Sequence, residues 1–325
     1  MNYRMLGKTH LQVSELGYGA WGIGKSMWLG AEDDESLKAL RRAIDGGVNF
    51  LDTALVYGDG HSEKLVGQAV RDSAETVYVA SKVPPANWSW PASGKAGEAY
   101  PGKWVVECTE RSLSNLGLDT IDVQQFHVWS DDWVGQDDWL EAVQQLKLDG
   151  KIRTFGVSIN DHQPGNAIEL VRSGVVDTVQ VIYNIFDQSP EDELFAAVLE
   201  HNVGVIVRVP FDEGSLAGRV TPGTHFPEGD FRNSYFGGDR RQQVWDHVEA
   251  LVQDLGITLE QLPELALRFT LSHPAVSTVI PGMRSMRSVE ANLAAEANGH
   301  LGDAELEVLR RHRWIRNFYQ APEGQ

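Results

Sequence analysis

Cysteine is nearly absent: Cys108 is the only one in 325 residues. One thiol forms neither an intramolecular disulfide nor a cysteine-based metal site, and such usage suits a reducing compartment. Basic residues are scarce as well. Against 46 Asp and Glu stand 28 Lys and Arg, a formal net charge of −18, with no Lys/Arg-rich run to offset it. Such a surface repels phosphate backbones and anionic headgroups, which argues against nucleic-acid or membrane partners and obliges any anionic ligand to find a local basic pocket. Long apolar runs are also lacking, none approaching the ~20 residues that span a bilayer. Met1 to His10 is polar, with Arg4 and Lys8, and has no apolar signal-peptide core. None of the ten histidines forms a His-x-His pair. His127 has no carboxylate at ligand spacing in its own run, so no metal is expected and a metal-dependent barrel hydrolase or isomerase is disfavoured. These absences predict a cytoplasmic protein.

Core material is ample, at 42% hydrophobic and 23% charged residues. At roughly 150 residues per domain the length allows about two domains, but α/β barrels use such a length as one unit. Eight short β-branched, apolar runs recur: 16–20, 48–52, 77–82, 121–127, 152–158, 178–183, 204–209 and 276–280. Helical patterns lie between them, at 35–45, 62–70, 103–116, 139–148, 164–171, 191–200, 259–270 and 289–297. Alternating strands and helices imply parallel pairing through right-handed crossovers, and eight units make a (β/α)8 TIM barrel, with a doubly wound open sheet as the runner-up. The expected organisation is one barrel domain over residues 1–325, with a hairpin at 3–14 closing the floor. An irregular loop over the active face is expected at 212–239, a helical tail at 303–313 and a frayed end at 322–325.

Gly17, Gly19 and Gly22 spell G-x-G-x-x-G after the first run. A dinucleotide fingerprint needs a helix to start at its last glycine, whereas Gly24 to Asp34 is irregular and polar, so these glycines instead permit a tight turn. More informative are the C-terminal strand ends, where barrels of this kind gather their chemistry. The second run ends at Asp52 with Tyr57 in the following loop, the third at Lys82 and the fourth at His127. A tyrosine of pKa ~10 is a poor proton donor near neutrality. Lys82 beside it would lower that value, Asp52 would keep the ammonium charged, and His127 could hold a substrate oxygen. Each residue has a structural alternative: a cap, a snorkelling side chain, loop packing, a satisfied core imidazole. Those alternatives require four coincidences at adjacent strand ends.

These residues resemble the aldo-keto reductases over nearly the whole chain. The likeness is carried by Asn49-Phe50-Leu51-Asp52-Thr53-Ala54 with Tyr57-Gly58, by Ala80-Ser81-Lys82 and by Gln124-Gln125-Phe126-His127, with Gly156-Val157-Ser158 and Ile280-Pro281-Gly282 further on. The resemblance implies a barrel that binds a nicotinamide dinucleotide and reduces aldehydes or ketones, sugars included, to alcohols. Asp52, Tyr57, Lys82 and His127 would be its catalytic tetrad and Tyr57 the general acid, without a metal. For the cofactor it implies Ser158, Asn160 and Gln180 at the nicotinamide carboxamide. Arg208 takes the place of a stacking aromatic, with a salt bridge to Asp212 or Glu213 as its alternative role. Gly214, Ser215, Leu216 and Gly218 would lie along the pyrophosphate, with Pro210 a further cofactor contact. Gly282, Arg284 and Ser288 would sit at the adenosine phosphate and Asn292 at the adenine. Arg284 favours NADPH over NADH by charge complementarity. Trp21, at both the cofactor and the substrate, and Trp129 are the candidate aromatic contacts alongside Tyr57 and His127. The partner is then a small carbonyl or alcohol, and homo-oligomerisation is left open. The alternative reading is a redox-sensing or regulatory binding subunit that retains the fold and cofactor.

Overall fold

The computed structural model describes residues 1–25, 28–135 and 138–320; the end expected to fray at 322–325 lies outside them. Tyr3–Met5 (β1) and Gln12–Ser14 (β2) form an antiparallel hairpin. Among the described residues, eight further strands run parallel: Tyr18–Gly19 (β3), Phe50–Asp52 (β4), Tyr78–Val83 (β5), Ile121–Phe126 (β6), Ile152–Ser158 (β7), Thr178–Ile182 (β8), Gly204–Arg208 (β9) and Thr278–Val279 (β10). Each pairs with its sequence neighbours, and bridges Leu16 to Val279 and Gly19 to Gly282 bring the first strand against the last. The architecture is the expected (β/α)8 barrel.

Side chains alternate across each strand, and this period places the site. One buried cluster joins Phe50, Ala80, Val123 and Ile206, inside the barrel, to Leu6, Leu11 and Val13 of the hairpin, which therefore plugs the floor. Two residues further along the same strands, on the same inward face, stand Asp52, Lys82, Gln125 and Arg208. An apolar lower layer thus carries a polar upper one at the C-terminal ends. Gly17 and Gly19 of the G-x-G-x-x-G string serve the seam. A Cβ on Gly19 would lie 2.5 Å from the Ile280 carbonyl oxygen, so only glycine lets the first strand meet the last.

Helices cover the outside, among them Asp33–Asp45, His61–Arg71, Gly102–Leu116, Asp138–Leu148 and Met286–Ala297. Three expectations need correction. The longest helix, Arg240–Leu255, was not anticipated, although Val244, Val248 and Leu251 give it a buried stripe and Gly256, at φ 62°, its stop. The stretch expected to be irregular at 212–239 is so at Asp212–Ala217, where tight turns meet at a kink with Glu213 and Gly214 at φ 54° and 108°, but it also contains a short helix at Arg232–Tyr235. The pattern at 164–171 divides into a 3-10 turn, Pro164–Ala167, and a helix, Ile168–Ser173.

Candidate active site

Lys82 stands at the centre of the upper layer with its side chain 1% exposed. Its ammonium donates to Asp52 Oδ1 at 2.5 Å, to the Thr53 carbonyl at 3.0 Å and to the Tyr57 hydroxyl at 3.4 Å. Three acceptors satisfy three N–H donors, which is what an ammonium in a dry interior requires. The other oxygen of Asp52 accepts from Gln125 at 3.1 Å and Gln180 at 2.8 Å, so the carboxylate is fixed from two more strands. Tyr57 reaches the barrel from a sharp turn: a Cβ on Gly58, at φ 67°, would lie 1.9 Å from the Gly24 carbonyl oxygen, so the first and second loops can touch only at glycine.

Burial raises the Tyr57 phenol above its ordinary value, Lys82 opposes that shift and Asp52 adds to it. Lys82 therefore acts in the expected direction, but desolvation outweighs it. His127 is held well below the usual imidazole range by burial and by the charges of Lys82 and Arg208. Its ring, a neutral donor at pH 7, lies 5.7 Å from that of Tyr57 and 4.8 Å edge-on from Trp90. The site thus holds two protonated donors, a phenol and an imidazole, beside one buried cation.

Arg208 closes the far side of the upper layer. It donates to Asp161 at 2.7 Å and to the Ile159 carbonyl at 3.0 Å, leaving Nε buried without a partner among the described residues. Asp161 replaces the expected pairing, because Asp212 is taken by Arg316 and Glu213 by Tyr319, both from the tail. Trp21 is half-buried and forms an aromatic wall with Tyr57 (6.3 Å), Trp28 (5.9 Å) and Phe231 (5.2 Å). Further out, a cavity of about 400 Å³ opens at the N-terminal ends of helices Asp33–Asp45 and Met286–Ala297. Arg284, Ser285 and Lys38 line it together with Glu32, Asp34 and Glu35.

A sequence model described as the aldo/keto reductase family matches residues 15–313. The chain belongs to this family. It is 29% identical over 330 residues to the NADH-specific methylglyoxal reductase of Escherichia coli (strain K12), covering 94% of this chain and 96% of that protein. It is 28% identical over 312 residues to a probable voltage-gated potassium channel subunit beta of Arabidopsis thaliana, covering 91% of each. Among solved structures it resembles the aldo-keto reductase AKR11C1 from Bacillus halodurans, holo form, with a TM-score of 0.76 and 28% identity, over 100% of this chain and 99% of that one. Aldo/keto reductases generally carry out NAD(P)H-dependent oxidoreduction of carbonyl compounds.

The donor set fits such a dinucleotide. Ser215 Oγ and Asn292 Nδ2 are buried without partners among the described residues, two donors free for a ligand at positions expected to face it. Arg284 gives one bond, 2.7 Å to the Leu29 carbonyl, and retains further N–H donors. Ser285 caps the helix Met286–Ala297 through the Ser288 amide, so its exposed N–H groups and both hydroxyls stand beside Arg284. Pro210 and Ser158 are buried, Gly282 is exposed and Gly218 turns at φ 67°. Leu216 is fully buried and can offer only its backbone.

Three expected contacts move. Trp129 does not face the site: it is 0% exposed, bonds Asp131 and packs between Trp133 and Trp139, because β6 ends at Phe126 and the chain turns outward. Trp90, not singled out from sequence, is the tryptophan against His127. Gln180 gives its amide hydrogens to Asp52 and Gln125. Asn160 is committed to loop closure, accepting from Ala92 and donating to Gln163. The supporting roles of Gln125 and Asp161 were also missed from sequence. Gln125 sits two residues before His127, and that strand period was its available signal; nothing local marks Asp161.

Proposed function

We propose that the protein is a carbonyl reductase, taking small aldehydes or ketones with sugars among them, in which Tyr57 is the general acid. The observation that supports this most directly is the buried chain from Asp52 through Lys82 to the Tyr57 hydroxyl. A reduced nicotinamide supplies hydride to the carbonyl carbon when bound. The chain's own residues handle the oxygen. His127, neutral in its buried place, donates a hydrogen bond that orients the carbonyl. Tyr57 holds its proton through neutrality and delivers it to the oxygen as negative charge develops there. Lys82 stabilises the phenolate left behind, and Asp52, braced by Gln125 and Gln180, keeps the ammonium charged and aimed.

For the cofactor we propose NADPH over NADH, held by Ser158, Arg208, Ser215, Arg284, Ser288 and Asn292. Arg284 and Lys38 meet a 2′-phosphate better than a hydroxyl, whereas Glu32, Asp34 and Glu35 on the same cavity oppose it. Arg284→Ala then weakens NADPH binding and spares NADH; equal losses would show that Arg284 reads a part common to both. The buried Cys108 thiol and the acidic surface fit a cytoplasmic setting, and among the described residues no helix is long and apolar enough to cross a membrane.

Tyr57→Phe tests the reading. Turnover of a carbonyl panel should fall by about 100-fold or more with cofactor affinity nearly unchanged, since the hydroxyl acts on the substrate oxygen. Retained turnover would remove Tyr57 from the chemistry. Likeness to the potassium channel subunit favours a second reading, a redox-sensing binding subunit. Tight dinucleotide binding by the unaltered chain with no turnover across the panel would select it.

A further inference from the structure

The loop after β9 holds an uncommon backbone. Val209, Asp212 and Glu213 lie at φ 56°, 50° and 54°, three non-glycine residues in the left-handed region within five positions, one of them β-branched. Such conformations persist only where surrounding contacts over-determine them. The Val209 carbonyl accepts from Asn184 at 3.0 Å and from the Asp212 amide at 3.1 Å, whereas the contacts on Asp212 and Glu213 come from the far end of the chain. Arg316 binds the Asp212 carboxylate, with side chains 6% and 1% exposed, and the Tyr319 hydroxyl binds Glu213. Both acidic residues are thereby tied to the tail, about a hundred positions away.

The tail is itself anchored. Trp314 donates its amide to the Phe186 carbonyl at 2.9 Å and stacks on His247 at 3.9 Å, while Arg240 donates to the Phe318 and Gln320 carbonyls at 2.8 Å each. The pair that joins tail to loop is costly as a mere fold stabiliser. Asp212 Oδ1 and Arg316 Nε and Nη1 remain buried without partners among the described residues, so its desolvation is incompletely repaid. Charged groups are retained there in a geometry whose visible effect is to hold the loop.

We propose that residues 314–319 form a strap that imposes the shape of loop 209–218, with Arg316 and Tyr319 as positioning residues for cofactor retention. This rests on the reading that Ser215 and its neighbours lie along the cofactor. Neither residue touches the tetrad; they act through Asp212 and Glu213 on the loop that carries Ser215. Loosening the strap therefore speeds cofactor release and leaves carbonyl recognition alone.

The test uses Tyr319→Phe and Arg316→Lys in the full chain, with Arg316→Ala as the severe case. Amide hydrogen exchange of residues 209–218 is followed without cofactor, and NADPH release by stopped-flow tryptophan fluorescence. Exchange in the loop should quicken in all three, more in Arg316→Ala than in Arg316→Lys. Release from Tyr319→Phe should rise about tenfold with the carbonyl KM unchanged. Unchanged exchange in Tyr319→Phe and Arg316→Ala overturns the strap; so does an equal rise in exchange over the whole barrel, which would mark a merely structural role. If the unaltered chain binds neither NADPH nor NADH, the reductase reading falls instead, and the exchange comparison alone decides whether the tail clamps the loop.

Discussion

Lys82 carries its charge where water is excluded, and everything the site can do depends on that charge being matched. Lys82→Met leaves Asp52 buried with no cation, and breaking such a pair costs about 3–5 kcal/mol. The variant should melt well below the wild type and lose turnover, and thermal unfolding together with kcat checks both. Melting at the wild-type temperature would mean that Gln125 and Gln180 suffice to satisfy Asp52. The titration directions of Tyr57 and His127 make a second prediction. The phenol is raised and keeps its proton through neutrality, while the imidazole is lowered and stays neutral there. Both donors that the proposed reduction needs are then in place across the ordinary imidazole range. The pH profile of kcat/KM should stay level through that range and fall only on the alkaline side as Tyr57 ionises. A fall on the acid side centred near the ordinary imidazole value would show that His127 is not shielded as its burial demands.

Elements differ in how plainly the sequence announces them. The buried strands were readable because each is a short apolar run bounded by turn residues, and the convergence of Asp52, Tyr57, Lys82 and His127 because β4, β5 and the segment ending in His127 carry polar residues just where the apolar run stops. Trp129 misled because nearness in sequence to His127 says nothing of which way the chain turns after β6. The helix Arg240–Leu255 has its stripe at the expected spacing, but the preceding Gly- and Pro-rich stretch masked where it begins. Invisible in principle were pairs such as Arg316 with Asp212, which only the folded chain brings together.

The loop held by that pair carries its own signature in Glu213, whose carboxyl is pushed up to about 7 by burial, from an ordinary 4.5. An acid held more protonated in the folded than in the unfolded chain stabilises the fold most at low pH. That contribution is lost as pH rises from 4.5 through 7, amounting to about 3 kcal/mol at most. Glu213→Gln, which still accepts from Tyr319, should flatten this slope and unfold later than the wild type above pH 7, as denaturant titrations at several pH values would show. Parallel slopes in the two proteins would mean that Glu213 is ionised already at low pH.

Charge at the scale of the whole molecule bears on how a dinucleotide arrives. The protein carries a formal −18 and the proposed ligand is itself an anion, so their long-range interaction is repulsive, while Arg284 and Lys38 act only close to the cavity they share with three carboxylates. Screening lengths fall from about 30 Å at 0.01 M salt to about 8 Å at 0.15 M. Over that interval the repulsion at the approach is largely removed, whereas Arg284, partly shielded beside Trp28 and the Leu29 carbonyl, is screened less. The association rate of NADPH should therefore rise with added salt, the reverse of an electrostatically steered encounter. Stopped-flow quenching at fixed pH across that salt range measures it. A rate that falls with salt would mean that the local field of Arg284 and Lys38 reaches past the acidic rim, and that the carboxylates of Glu32, Asp34 and Glu35 do not oppose the ligand on its way in.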